Sequence, residues 1–241
     1  MSDNIYETQR LVDEYLLFHY GSADDVLGWS GGPTEALGFP ERVAKHAGQE
    51  KVDRALDIGA AVGRSSYVLS EVAEEVVSID FSQAFIDAAI QLRESGATTV
   101  SRLIEGSIRD EVVIQRPEGG NPEGIHFQQG DAMNLPDDLG VFDRVLAANL
   151  ICRLPDPKQF LDRLPNLVKT GGIVVLATPC TWLEEFTPPE NFPQGKTLDW
   201  LKEVMGENFT LLKETNEPFL IRETARKFQW TVSQVTVWAR K

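Results

Sequence analysis

The stretch RALDIGAAVGR, residues 54–64, decides the fold. Its first half is a short apolar run that reads as a strand, and its second half is a turn that opens a helix. Gly59 and Gly63 let the backbone turn tightly and approach a ligand where a Cβ would obstruct it. Alone, such a turn is shared by nicotinamide and flavin enzymes, and it also occurs without a ligand.

Working outward, strands and helices alternate. The spacing predicts a helix from Ile5 to Tyr20 stopping at Gly21, a Gly-rich loop over 22–40 and a short helix over 40–47. Strands are predicted at 54–58, 75–80, 125–129, 142–148 and 173–177, with helices after the first two and after Asp156-Pro157. Ser82 is the expected N-cap of the helix over 83–94, and Pro165 is expected to kink or end its helix early. The tail adds a helix over 198–205 and strands over 209–214 and 231–238. Thr98 to Glu123 breaks the alternation and reads as an inserted β-hairpin with a flexible tip at PEGGNPEG. The expectation is an α/β Rossmann-like fold, a mainly parallel seven-stranded sheet with helices on both faces. It forms one domain over 1–241, with 1–50 as an N-terminal helical lid and 98–123 as the insertion.

Composition narrows the function. The net charge of −14 argues against holding nucleic-acid phosphates or anionic lipid and suits a small substrate. Cys152 and Cys180 form no disulfide framework or metal spacing, and His19, His46 and His126 are scattered, so no metal is expected. No apolar run approaches a membrane span and no signal-peptide pattern opens the chain, which predicts a cytoplasmic protein.

A second acid lies at the next strand end. Asp80 follows Asp57 by 23 residues, where a carboxylate accepts from the hydroxyls of a cofactor ribose. A dinucleotide site would want a small residue where Arg64 stands, and room for a diphosphate where Asp57 adds negative charge. That acid suits a sulfonium or an ammonium better.

Three later motifs separate the cofactors by resemblance. Gly130-Asp131-Ala132, FDRVLAANLICRL and LVKTGGIVVL, each at a strand end or the turn before one, resemble class I methyltransferases. The resemblance implies S-adenosylmethionine, with Asp131 on the adenine amino group, the Ala132 N–H on a ring nitrogen and Asn149 facing the methyl donor. Asp57, Gly59, Ala61, Gly63, Arg64, Asp80 and Phe81 complete the implied cofactor set. The middle glycine of the usual GxGxG pattern is replaced by Ala61.

The segments YETQRLVDEYLLFHYG, ALDIGAAVGRSS, IDFSQAFIDAA, AANLICRLPDP, TPCTWLEEFTP and PFLIRETARKFQW together resemble the 4-mercaptohistidine (5-thiohistidine) N1-methyltransferase family of ovothiol biosynthesis. Cys180 stands where that family carries Tyr. The resemblance implies N-methylation of the thiohistidine imidazole to give ovothiol A, and functional pairing with a sulfoxide synthase. Arg153 or Arg222, ahead of Arg226 and Lys227, is the implied carboxylate clamp, and Glu184 or Glu185 takes the ammonium. Tyr15, Tyr20, Trp182, Phe186 and Trp230 wall the ring, while His19 or Asn149 orients the imidazole, with His19 also a proton acceptor. Tyr15 and His19 also fit a helix's apolar face, and Trp230 fits sheet packing. Two other readings remain at this point: another small-molecule acceptor, or a non-catalytic cofactor-binding module serving the synthase.

Overall fold

A computed structural model describes residues 5–241, so the first four residues of the expected lid lie outside the described residues. In chain order the elements are α1 (Gln9–Tyr20), α2 (Ala23–Val26), α3 (Phe39–Lys45), β1 (Val52–Ile58), α4 (Arg64–Ser70), β2 (Ala73–Asp80), α5 (Gln83–Ser95), β3 (Ala97–Glu105), β4 (Ile108–Gln115) and β5 (Ile125–Gln129). They continue with β6 (Phe142–Ala148), α6 (Pro157–Leu167), β7 (Val168–Thr178), α7 (Thr197–Met205), β8 (Phe209–Arg222) and β9 (Phe228–Arg240).

The seven-stranded sheet runs β5-β2-β1-β6-β7-β9-β8. The first five strands are parallel, and β9 and β8 add antiparallel. The chain winds outward from β1 to β5 and then returns beside β1 with β6. The carboxyl edge between β1 and β6 is therefore a switch point, where open α/β sheets bind ligands. One face packs α3, α4 and α5 through Phe39, Val43, Tyr67, Leu69 and Ile86. The other packs α6 and α7 through Phe160, Leu164, Leu201 and Met205. A third cluster joins α1, α5 and the β3–β4 hairpin through Leu16, Phe85, Val100 and Ile114, and it reaches Ala61 and Val62.

Ser82 caps α5 as expected, its hydroxyl accepting the Phe85 N–H at 3.1 Å. Several local expectations change. The β3–β4 hairpin forms its own two-stranded sheet, but its turn lies at Gly106, with φ 55°. PEGGNPEG is instead the return to β5, strapped to α4 where the Asn121 N–H meets Ser70 Oγ at 3.0 Å. Pro165 leaves α6 intact to Leu167, because it falls in the last turn and the Val168 N–H closes on the Leu164 carbonyl. Short helical turns interrupt the expected loop over 22–40.

The tail strands are longer than periodicity suggests. β7 pairs β9 only from Thr178↔Gln234 to Ile173↔Ala239, so residues 217–222 and 228–233 pair only with each other. This arm overhangs the carboxyl edge. Its tip is tied to the hairpin by the Ala225 N–H to Ile104 O bond (3.1 Å). Trp29 Nε1 holds it from the lid side, donating to Ala225 O at 2.7 Å.

Candidate active site

Three non-glycine residues have left-handed backbones among the described residues: Ala61 (φ 49°), Asn149 (φ 55°) and Cys180 (φ 54°). They follow β1, β6 and β7 at the carboxyl edge, where backbone strain of this kind collects at functional sites. The strain at Ala61 is held by Asp80, whose Oδ2 accepts the Ala61 N–H at 2.8 Å while Oδ1 accepts the Ser82 N–H at 2.9 Å. A carboxylate has about four acceptor positions, so Asp80 keeps capacity beyond these bonds for a ligand hydroxyl. Burial pushes the Asp80 pKa up, against those two N–H bonds.

Asp57 lies deeper. It is 1% exposed and accepts both Ser65 Oγ and Ser66 Oγ at 2.7 Å. Burial lifts its pKa to about 6 despite the two serines. These two bonds bolt β1 to the start of α4. On the adenine side, Phe81 is 58% exposed at the tip of β2. Asp131 caps a short turn through the Met133 N–H (2.9 Å), with Ala132 in that turn.

On the other side of the edge, Asn149 Oδ1 accepts the hydroxyl of the fully buried Ser233 at 2.6 Å. Ser233 was missed by sequence reasoning, since a lone serine in a strand carries no signal. Arg153 lies over Phe186 at 4.7 Å and donates from Nη1 to the carbonyls of Cys152 (3.1 Å) and Thr181 (3.3 Å). The Tyr15 ring packs tilted against Phe85 with centroids 4.7 Å apart, and the charges of Asp80 and Arg153 both bear on its hydroxyl. Burial raises its pKa, so Tyr15 stays a donor. Tyr20 donates to Val62 O at 2.7 Å, pressing the end of α1 onto the cofactor turn.

The remaining expectations separate. Burial and the nearby Arg64 cation lower the His19 pKa to about 3, so the expected proton acceptor is a poor base at neutral pH. Arg222, the expected clamp, is drawn off to α2, donating Nη1 to Asp25 O (3.1 Å) and Val26 O (3.4 Å). Trp182 turns toward α7, with Nε1 on Thr197 Oγ1 (3.0 Å) and its ring edge-on to Trp200 at 6.1 Å. Glu184 and Glu185 are exposed, and Trp230 is 54% exposed on the overhanging arm. No metal-binding group of three or more His, Cys, Asp or Glu occurs among the described residues.

Residues 56–176, from β1 through β7, match the methyltransferase domain family. The chain belongs to that family. S-adenosylmethionine is its cofactor, and the edge fits it: Asp80 keeps open acceptor positions beside the Gly59–Gly63 turn, next to an exposed aromatic ring. A Cβ at Gly59 would stand 3.1 Å from Leu150, so this methyltransferase domain keeps its turn and the end of β6 in close approach.

Among curated proteins, it is 27% identical over 137 residues to a demethylmenaquinone methyltransferase of Clavibacter sepedonicus, covering 57% of this chain and 43% of that one. It is 33% identical over 66 residues to a chloroplastic 2-methyl-6-phytyl-1,4-hydroquinone methyltransferase of Oryza sativa subsp. japonica, covering 26% and 20%. The chain thus spans less than half the length of the curated relatives it matches. The N-methyltransferase NodS of Bradyrhizobium japonicum WM9 in complex with S-adenosylhomocysteine superposes with TM-score 0.52 at 12% identity, over 95% of this chain and 98% of that one. A SAM-dependent methyltransferase of Aquifex aeolicus gives 0.51 at 14%, over 83% and 89%. At these identities the likeness is one of fold. Among the described residues no helix is long and apolar enough to cross a membrane.

Proposed function

We propose that this domain methylates a small molecule, and that its acceptor is an imidazole nitrogen of 5-thiohistidine, yielding ovothiol A and S-adenosylhomocysteine. The observation that supports this reading is Tyr15 within electrostatic reach of both Asp80 and Arg153, with Arg153 lying over Phe186. Together they offer donors and ring faces on a scale that suits a zwitterionic heteroaromatic molecule.

Bound S-adenosylmethionine supplies an electrophilic methyl group. Asp80 holds the ribose, Phe81 covers the adenine, and Asp131 and the Ala132 N–H take its polar edge. Arg153 pairs with the acceptor carboxylate from the guanidinium nitrogens not spent on Cys152 and Thr181. Ser233 occupies Asn149 Oδ1, so the amide is turned to donate from Nδ2, toward the acceptor's thiolate. Tyr15, kept protonated, donates into the same space. The acceptor nitrogen needs only a free lone pair, so no strong base is required, and alignment supplies about 7–11 kcal/mol of the barrier reduction.

Incubation with S-adenosylmethionine and 5-thiohistidine should give a product one methyl heavier, with fragmentation placing it on a ring nitrogen. Turnover of histidine or a hydroquinone instead would overturn the acceptor and leave family membership intact. Binding of S-adenosylhomocysteine with no turnover would favour a module serving a sulfoxide synthase.

A further inference from the structure

We propose that Thr178 and Thr187 are positioning residues for Arg153, setting its guanidinium as a fixed fork that selects acceptors bearing a carboxylate. The inference takes its ligand from the acceptor reading above and its geometry from the loop after β7. Among the described residues the Arg153 guanidinium meets carbonyls, a sulfur and a ring, and no carboxylate. Its hydrogen bonds all run from Nη1, to Cys152 O at 3.1 Å, Thr181 O at 3.3 Å and Cys152 Sγ at 3.7 Å. Nε and Nη2 are left side by side, the arrangement that matches the two oxygens of a carboxylate.

Cys152 is the chain neighbour of Arg153, but Thr181 and Phe186 come from another strand end, and two threonine hydroxyls hold them. Thr178 closes β7 and is 1% exposed. Its Oγ1 accepts the Cys180 N–H at 3.1 Å, which holds Cys180 left-handed at φ 54°. A residue with a side chain resists that backbone, and the fixed φ of Pro179 leaves the turn little else to yield. The reversal brings the Thr181 carbonyl back to Arg153. Thr187, fully buried at the far end of the loop, donates to Leu154 O at 2.6 Å, one residue from Arg153. That bond seats Phe186 under the guanidinium, 4.7 Å from its ring centroid. Valine has nearly the shape of threonine, so what the two hydroxyls add is these bonds, and what the bonds share is Arg153. A guanidinium held in this way loses little freedom when an acceptor binds.

Steady-state kinetics with 5-thiohistidine and with 5-thiohistamine, which lacks the carboxylate, separate positioning from packing. Thr178→Val should raise KM for 5-thiohistidine about fivefold and leave kcat within about twofold. Unchanged S-adenosylhomocysteine affinity certifies the fold, and KM for 5-thiohistamine should not move. Thr178→Ser should restore KM, since serine keeps the acceptor oxygen. Adding Cys180→Gly to Thr178→Val should restore it too, because glycine takes a positive φ without the tether. Thr187→Val should raise KM for 5-thiohistidine about threefold, with Thr187→Ser as its rescue. A rise shared by both acceptors, or no rise, overturns the proposal, as does a double variant no better than Thr178→Val. A wild-type chain that leaves 5-thiohistidine unmethylated overturns the acceptor reading by itself. A crystal structure of Thr178→Val then decides the positioning: Arg153 parted from the Thr181 carbonyl supports it, and Arg153 unmoved overturns it.

Discussion

The two sides of the carboxyl edge are built differently. On the adenosine side, the tips of β1, β2 and β5 are short turns whose geometry is set locally, with Asp80 fixing Ala61 and Ser82 through its own carboxylate. On the acceptor side, α1, α2 and the β8–β9 arm meet across most of the chain, as where Trp29 holds Ala225 and Arg222 holds Asp25. A residue of the first side has its job assigned by its place at a strand end. A residue of the second has it assigned by whichever distant carbonyl or ring arrives beside it.

Substitutions on the two sides should therefore fail in different ways. Asp80→Ala removes both the proposed ribose handle and the acceptor that pins the turn, and calorimetry should show S-adenosylhomocysteine binding weakened about 100-fold. A loss confined to acceptor KM would erase the distinction. Asp57 should act on stability alone. Its folded pKa of about 6 lies above its unfolded value of 3.8, so its contribution is full below 3.8 and is lost as pH rises through 6. Asp57→Asn should remove that slope, worth about 3 kcal/mol at most, in denaturant titrations between pH 4 and 7. An unchanged slope would refute the burial argument.

Across the edge, Arg222→Met should cost about 1–3 kcal/mol of stability by leaving the Val26 carbonyl without its side-chain donor, while Arg102 Nη1 still serves Asp25 O at 2.7 Å. Cofactor affinity should hold. Unchanged stability with a raised acceptor KM would return Arg222 to the role of clamp. Ser233→Ala frees Asn149 Oδ1 and should lower kcat/KM for the acceptor about fivefold, with Ser233→Thr restoring it and cofactor binding unmoved. The smallest effect is expected at Ala61. Glycine there relieves a left-handed Cβ worth about 1 kcal/mol, raising Tm by about 2–4 °C. A lower Tm would show that the methyl group packs more than it strains.

This contrast explains what could be read in advance. Gly59, Gly63, Asp80, Ser82 and the five parallel strands were legible, because a strand-turn-helix pattern fixes where each tip points. Asp57 was legible as an acid inside the turn motif but not as the partner of Ser65 and Ser66, since a sequence does not say which way an inward carboxylate is satisfied. His19 and Tyr15 sit on a helix face whose spacing fits core and site equally. Only the aromatic pile with Phe85 and the nearby Arg64 and Arg153 decide between the two. Trp182 follows β7 as a chamber wall would, yet Thr197 and Trp200 turn it away. PEGGNPEG was misread because glycine and proline mark a turn without saying what it rests on, and here it rests on Ser70.

Gly63 has one more consequence. Its φ is 86°, and a Cβ there would come within 2.5 Å of Cε1 of Phe127 on β5. The first turn and the adenine-side strand therefore abut with nothing between them, like two jaws closed on a gauge block. Any side chain at position 63 would have to drive β5 away from the turn after β1, so the spacing of these two strand tips depends on a single missing methyl group.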